Sequence, residues 1–293
     1  MNASSTFSED LSSLKLTPAA FEKFSRFITH QLGIKMPPDK MSMLQSRLQR
    51  RLRALKLSSL EDYQDYLFNS PQAAAELKDF FDAVTTNKTD FFREAEHFDY
   101  LAQTVLPKLD PSRGRVEVPR PWHFQLWCAG CSSGEEPYTL AMVLSEYAAT
   151  RPGFSFSILA TDISTRVLEQ AQQGIYDEAR IAPVALPLRK KYLLRSRDPE
   201  QARVRVAPGL RQKISFQRLN FMDKTYPVRE MFEVIFFRNV MIYFSKETQE
   251  TVIGKQCRHL VPGGYLFVGH SESLTGLKIP VTSVGPAVYR KSP

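Results

Sequence analysis

No apolar run in this sequence approaches the roughly 18 residues that a membrane-crossing helix needs. The opening residues, Met1 to Asp10, are polar and lack the basic-then-apolar order of a secretory leader. Cysteine is scarce: three in 293 residues are no disulfide framework. The expectation is a soluble protein of a reducing cytoplasm. Phosphate-binding signatures are missing as well. The small-residue loop at Cys128–Gly134 has neither the spacing of the dinucleotide fingerprint nor the lysine of a P-loop, which argues against NAD and ATP. What is present is ordinary globular composition, with 43% hydrophobic and 24% charged residues, and this excludes a largely disordered or collagen-like chain. Lys plus Arg number 39 against 31 Asp plus Glu, a formal charge of +8 that suits an acidic partner without naming its class.

The length predicts about two domains. Residues 1–16 are Ser-rich and read as a mobile arm. Residues 17–84 read as an all-helical domain. Thr17-Pro18 supplies a cap and a first-turn proline, Phe21, Phe24, Phe27 and Ile28 recur at helical spacing, and Leu44, Leu48, Leu52 and Leu55 form a second stripe. Residues 85–120 read as a linker. From 121 to 293, strand-length apolar segments (124–127, 155–160, 214–219, 232–237, 264–268) alternate with helical ones (135–149, 165–173, 246–260), the pattern of a parallel α/β sheet. The alternation stalls between Arg180 and Arg218, where eleven Lys or Arg face only Asp198 and Glu200. Arg203-Val-Arg-Val206 alternates like an exposed strand, and about 186–213 is expected to be an inserted antiparallel subdomain.

In an open α/β sheet, ligands bind beyond the carboxyl ends of the strands. After the first strand comes Cys128-Ala-Gly-Cys-Ser-Ser-Gly134, whose small residues let a ligand approach the backbone. Glu135 and Glu136 then open a helix, and acids at a helix start compete with a phosphate for the same positive end. The second strand ends in Asp162, where nucleoside binders of this architecture hold ribose hydroxyls, although Asp is also a common helix cap. Polar residues Arg238 and Asn239 follow the Val234–Phe237 strand. Together these suggest a nucleoside without a phosphate chain, of which S-adenosylmethionine is the common one. Trp127-Cys-Ala-Gly-Cys131 looks like a redox motif, but Ser132–Gly134 separates it from the helix start, and no second pair completes a zinc site. Cys257 reads as core and His270 as a structural hydrogen-bonding group. His30, His97, His123 and His259 show no metal spacing, so no metal is expected.

The strings Thr85-Thr-Asn-Lys-Thr-Asp-Phe-Phe-Arg-Glu94, Ser133-Gly-Glu-Glu-Pro-Tyr138, Ala160-Thr-Asp-Ile163, Phe237-Arg-Asn-Val-Met-Ile-Tyr-Phe244 and Gly269-His-Ser-Glu272 occur in that order. In them the sequence resembles the chemotaxis receptor glutamate O-methyltransferases, the CheR family, from about residue 18 to residue 290. The resemblance implies a class I S-adenosylmethionine-dependent methyltransferase domain, Rossmann-like, with an N-terminal helical domain and an inserted β-subdomain. It implies methyl transfer to glutamates on the cytoplasmic helical bundle of chemoreceptors, giving methyl esters and S-adenosylhomocysteine. The cofactor contacts it implies are Asn87, Thr89, Arg93, Glu136, Asp162, Asn220, Phe221, Arg238 and Asn239, with the Asn87–Arg93 segment closing over the methionyl part. Arg93 would steer the substrate carboxylate and Tyr243 would give it a hydrogen bond. The basic segment from Lys40 to Lys56 would meet the receptor, Arg47 and Arg53 foremost. The β-subdomain binds a receptor's C-terminal peptide in some members, and here its loop, Arg195–Ala202, lacks the glycines of peptide-binding members.

Two other functions compete. A nucleic-acid methyltransferase would suit the basic insertion, but no Asn-Pro-Pro-Tyr or Pro-Cys string occurs, and the basic segments lack interleaved aromatics. A cofactor-bound adaptor with an inactive core is opposed by the intact Asn87, Arg93, Asp162 and Tyr243. Neither nucleic acid nor direct membrane insertion is expected.

Overall fold

The computed structural model describes residues 15–111, 121–198 and 200–292. The arm expected over 1–16 lies outside the described residues except for Lys15 and Leu16, and Leu16 is buried, its N–H donating to Gln45 Oε1 at 2.9 Å. Part of the expected linker, 112–120, is likewise outside. The chain divides into two compact units. The first is the stretch up to Thr86 with Ile163–Thr165 and Tyr243–Ser245, and the second is Asn87–Asp162, Arg166–Ile242 and the stretch from Lys246 onward.

Among the described residues the first unit holds four helices of ten residues or more: α1 (Pro18–Leu32), α2 (Met41–Leu55), α3 (Leu60–Asn69) and α4 (Ala73–Val84). Each buries one stripe, and Phe24, Ile28, Leu44, Leu48, Leu52, Tyr63 and Phe80 meet in one core with all seven fully covered. Glu76 of α4 lies inside that core. Its charge is balanced by a fork from Arg51, Nε to Oε1 at 2.9 Å and a second nitrogen to Oε2 at 2.7 Å, and Tyr63 donates to Oε1 at 2.7 Å. α1 starts where the sequence puts it, with Thr17 Oγ1 accepting the Ala20 N–H at 3.2 Å, and stops at Gly33, which adopts φ 71°. Thr17→Ala is expected to cost about 1 kcal/mol of stability, read by denaturant unfolding.

The second unit is built on a seven-stranded sheet. Its strands are β1 (Trp122–Ala129), β2 (Phe154–Asp162), β6 (Ile214–Arg218), β7 (Phe232–Phe236), β8 (Leu260–Phe267), β9 (Val281–Gly285) and β10 (Val288–Lys291), in the order β6-β2-β1-β7-β8-β10-β9. The pairs among β6, β2, β1, β7 and β8 are parallel, and β10 is antiparallel to both neighbours. Three longer helices cross between strands: α5 (Glu135–Thr150), α6 (Thr165–Gln173) and α7 (Lys246–Arg258). On β1 the residues alternate between faces. Phe124, Leu126 and Cys128 join Leu140, Ala141 and Leu144 of α5 in one buried cluster, while Trp127 packs among Tyr226, Phe232 and His259. That double burial is why the parallel strands read as near-continuous apolar runs.

The expected insertion, about 186–213, supplies β4 (Leu193–Arg195) and β5 (Arg203–Val206) of a second, three-stranded antiparallel sheet, whose third strand, β3 (Ile175–Asp177), lies ahead of those bounds; the order is β3-β5-β4. Val204 and Val206 are buried while Arg203 and Arg205 face solvent, the alternation seen in the sequence. β3 and the β9–β10 hairpin carry no such pattern and come from the structure alone.

Candidate functional site

The strand order reverses its direction of growth beside β1: the chain moves from β1 to β2 and β6 on one side, then to β7 and β8 on the other. That is the place where open α/β sheets hold ligands. Here β1 leaves the sheet into the Gly130–Gly134 loop. The Gly130 and Cys131 N–H groups donate to the Thr161 carbonyl at 2.8 and 2.9 Å, and the Ser132 N–H donates to Asp162 Oδ2 at 2.9 Å. The loop turns through left-handed conformations at Gly130, Ser132 and Gly134. At Gly134, φ is 99°, and an added Cβ would lie 2.7 Å from the Tyr176 hydroxyl, so only glycine fits before α5. The Tyr176 hydroxyl itself donates to the Ser133 carbonyl at 2.7 Å.

Two acids follow. Glu135 is fully buried, accepts the Ser133 hydroxyl at 2.6 Å and pairs with Arg180. Arg180 also donates to the Thr89 carbonyl at 2.8 Å, tying the Asn87–Glu94 segment to the start of α5. Glu136 is 14% exposed. Its Oε2 lies 3.1 Å from Arg238, and its Oε1 accepts the Cys128 thiol at 3.2 Å. Burial raises its carboxyl above the usual carboxylate range, against the pull of Arg238.

The Asn87–Glu94 segment lies over this end of the sheet. The Asn87 carbonyl accepts the Ser132 hydroxyl at 3.1 Å, the Phe92 N–H donates to Thr139 Oγ1 at 3.2 Å, and Thr89 is buried. Arg93 donates to the Lys88 carbonyl at 3.1 Å and keeps 35% of its side chain exposed. Its own carbonyl accepts from Arg238. Arg238 has no exposed side-chain surface and stands between Glu136 and Glu94, 3.1 Å from each carboxylate. Asn239 adopts φ 58° and donates from Nδ2 to Glu94 Oε1 at 3.1 Å. Thus both side chains read from sequence as cofactor contacts are engaged with protein carboxylates.

Asn220 and Phe221 follow β6. Asn220 Oδ1 accepts the Met222 N–H at 3.0 Å, and the Phe221 ring packs on Phe237 at 5.1 Å. Asn87, Thr89, Arg93, Glu136, Asp162, Asn220, Phe221, Arg238 and Asn239 therefore all belong to the second unit. Tyr243, Arg47 and Arg53 belong to the first. Tyr243 ends a short turn, and its carbonyl accepts the Lys35 N–H at 2.8 Å. Arg47 is half-buried and donates to the Val84 and Thr85 carbonyls and to Thr86 Oγ1, holding the last turn of α4. Arg53, with Lys40, Arg50 and Lys56, faces solvent. All three cysteines are free and buried, and burial pushes their thiols up.

Glu94 and Arg180 were given no role from sequence, His97 was noted only as lacking metal spacing, and His270 was read as a structural hydrogen-bonding group. Glu94, His97 and His270 bring one potential metal-ligating atom each within 4.8 Å. Both Glu94 oxygens also accept hydrogen bonds, from Arg238, Asn239 and the His270 N–H.

The donor set fits the cofactor implied by the resemblance. Asp162 stands at the end of β2 with its carboxylate accepting the Ser132 N–H, and a carboxylate is an acceptor of the kind that ribose hydroxyls need. Glu136 offers negative charge beside it for a sulfonium or ammonium, and the acids at the α5 start oppose a phosphate chain.

Comparison with known proteins agrees with this architecture. The family described as CheR methyltransferase, SAM binding domain, matches residues 87–289, and the CheR methyltransferase all-alpha domain matches residues 19–85. A chemotaxis protein methyltransferase of Borreliella burgdorferi is 36% identical over 280 residues, covering 95% of this chain and 96% of that one. One from Escherichia coli is 38% identical over 279 residues, covering 95% and 93%. Chemotaxis protein methyltransferase 2 of Pseudomonas aeruginosa is 36% identical over 269 residues, covering 92% and 91%. With an all-helical unit ahead of a parallel sheet, and with both family domains matched in that order, this chain belongs to the CheR methyltransferase family and is a methyltransferase with an S-adenosylmethionine-binding domain.

Proposed function

We propose that the protein transfers the methyl group of S-adenosylmethionine to glutamate side chains on the cytoplasmic helical bundle of chemoreceptors. The observation that carries this reading is the setting of Arg93: a partly exposed guanidinium at the end of the segment that is hydrogen-bonded to the small-residue loop ahead of Glu135 and Glu136. A glutamate carboxylate has a reference pKa of about 4.3 and arrives ionised at neutral pH, so the chain needs no general base. When bound, S-adenosylmethionine supplies a methyl carbon on a sulfonium and departs as the neutral thioether S-adenosylhomocysteine. The incoming carboxylate oxygen forms the new bond to that carbon as the carbon–sulfur bond breaks, its electron pair going to sulfur. What the chain contributes is alignment and partial exclusion of water.

In this reading Asp162 holds the ribose. Asn87, Thr89, Glu136, Asn220, Phe221, Arg238 and Asn239 shape the cofactor's surroundings, Arg238 and Asn239 through the carboxylates they hold. Arg93 orients the substrate carboxylate. Arg93→Ala is expected to lower turnover about 10- to 100-fold with the fold intact. Arg53 of α2 meets the acidic face of the receptor. Arg53→Glu is expected to raise the KM for receptor membranes about fivefold and to flatten its salt dependence. Arg47 also lies on α2, but reversing it would disturb the end of α4, so Arg53 is the cleaner probe.

The deciding experiment incubates the protein with methyl-labelled S-adenosylmethionine and receptor membranes, RNA or DNA, then applies mild alkali. Carboxyl methyl esters release volatile methanol, whereas N-methyl and C-methyl groups do not. Alkali-labile label on the receptor is the expected result. Alkali-stable label, or label in nucleic acid, would overturn the substrate and leave the methyltransferase.

A further inference from the structure

We propose that Glu94 is a positioning residue that sets Arg93 over the reaction centre by joining the Asn87–Glu94 segment to the carboxyl ends of β7 and β8. The inference rests on the glutamate-methylating reading and assigns a role that the sequence motifs left open.

Glu94 sits directly after Arg93 with a left-handed backbone, φ 57°, as does Phe92 at 53°. Non-glycine residues adopt that conformation at a cost and keep it where surrounding contacts enforce it. Here the enforcing contacts converge on one carboxylate. Glu94 Oε2 accepts from Arg238 and from the His270 N–H, both at 3.1 Å, and Oε1 accepts from Asn239 Nδ2 at 3.1 Å. Arg238 and Asn239 follow β7, and His270 follows β8. The segment is thus tied to two adjacent strands through a single side chain.

The anchor is itself rigid. Arg238 is fully covered and braced on its other side by Glu136. Asn239 and Gly269 donate their N–H groups to Glu272 Oε2 at 2.8 and 2.7 Å, which locks the two strand ends together. Arg93 is held from both of its ends. Its carbonyl accepts from the same Arg238, and its Nε lies 3.9 Å from Glu94 Oε1. Burial alone would raise the Glu94 carboxyl, but the hydrogen bond from Asn239 and the charge of Arg238 hold it below the usual range, so the anchor stays ionised at neutral pH. An exposed arginine carries many rotamers, and a group positioned by a charged neighbour loses less entropy when substrate arrives.

The test is Glu94→Gln, made in the wild-type chain and in Arg93→Ala. The amide keeps the shape but replaces one acceptor oxygen with a donor facing Arg238 or Asn239. In the wild-type background kcat is expected to fall about 10- to 30-fold while S-adenosylhomocysteine affinity stays within about threefold. In the Arg93→Ala background the same substitution is expected to cost less than about threefold, because the group it positions is gone. Equal losses in both backgrounds would overturn the proposal and make Glu94 a general structural residue. The second readout is hydrogen exchange of amides 87–95 in the full chain with S-adenosylhomocysteine present. Faster exchange there, with the sheet unchanged, is expected, and unchanged exchange would overturn the proposal. If wild-type protein methylates no receptor glutamate, the functional reading fails, and the exchange measurement still decides whether Glu94 anchors the segment.

Discussion

Asp162→Ala is expected to weaken S-adenosylhomocysteine binding by roughly 100-fold, because two contributions are lost at once. A carboxylate that accepts hydroxyl hydrogen bonds contributes about 1.5–3 kcal/mol for each charged pair. The second contribution is internal. Asp162 Oδ2 accepts the Ser132 N–H, and Ser132 holds φ 48° in the middle of the loop between β1 and α5. Without the carboxylate that left-handed serine loses its acceptor, and the loop is free to relax away from the geometry the ligand needs. The two parts separate experimentally. Asp162→Asn keeps an oxygen for Ser132 while removing the charge, so it should fall between wild type and Asp162→Ala in titration calorimetry. The buried setting, 7% exposed at the end of β2, predicts little change in fold, since Thr161 and Leu219 hold the neighbouring backbone through main-chain hydrogen bonds. Binding within threefold of wild type for both variants would remove Asp162 from the cofactor site.

The place of Asp162 at the end of β2 was readable in the sequence because its signal is local: an apolar run, then an acid at the position where the strand must end. The same holds for α1, where Thr17-Pro18 and Gly33 mark both ends, and for α6, where the expected and observed spans agree. It holds for the Gly130–Gly134 loop, whose small residues announce a close approach. Residues whose meaning lies in a distant partner were not readable. Arg47 sits on the polar side of α2 by periodicity alone, and only tertiary structure shows the end of α4 beside it, 37 residues away. Glu94 meets Arg238 across 144 residues and His270 across 176. A helical or strand period carries no information about such pairs. β9 escaped for a different reason: its burial does not alternate, because it pairs on one side only and closes the sheet as an exposed edge. Arg238 and Asn239 show the reverse case. The motif offered them as cofactor contacts, while the geometry gives their side chains to Glu94 and Glu136.

Lowering the pH from 7 to 4 is expected to remove about 3 kcal/mol of stability through His97. This histidine is 2% exposed, and its imidazole is pushed down from 6.5 to about 4. Burial is the largest cause, followed by the charge of Arg238 and the neighbouring His270 ring at 4.6 Å. Glu94, 3.6 Å away, and the Pro286 carbonyl pull the other way and do not prevail. The folded protein therefore keeps His97 neutral where the unfolded chain takes up a proton. Between pH 6.5 and 4 the unfolded state binds more protons, so stability falls as pH falls, and the loss is complete only below about 4. A depression of this size corresponds to about 3 kcal/mol. Glu94, held below the usual carboxylate range, adds its own loss below its ordinary titration, while the raised carboxyls of Glu136 and Glu272 act in the opposite direction. The His97 part is isolated by difference: isothermal denaturation of wild type and His97→Gln should show the wild-type advantage shrinking by about 3 kcal/mol between pH 7 and 4. A difference that stays constant across that range would mean that His97 is not held neutral by the network around Arg238. The site would be affected along with stability, because a protonated His97 places a second positive charge against the same Glu94 carboxylate that Arg238 and Asn239 hold.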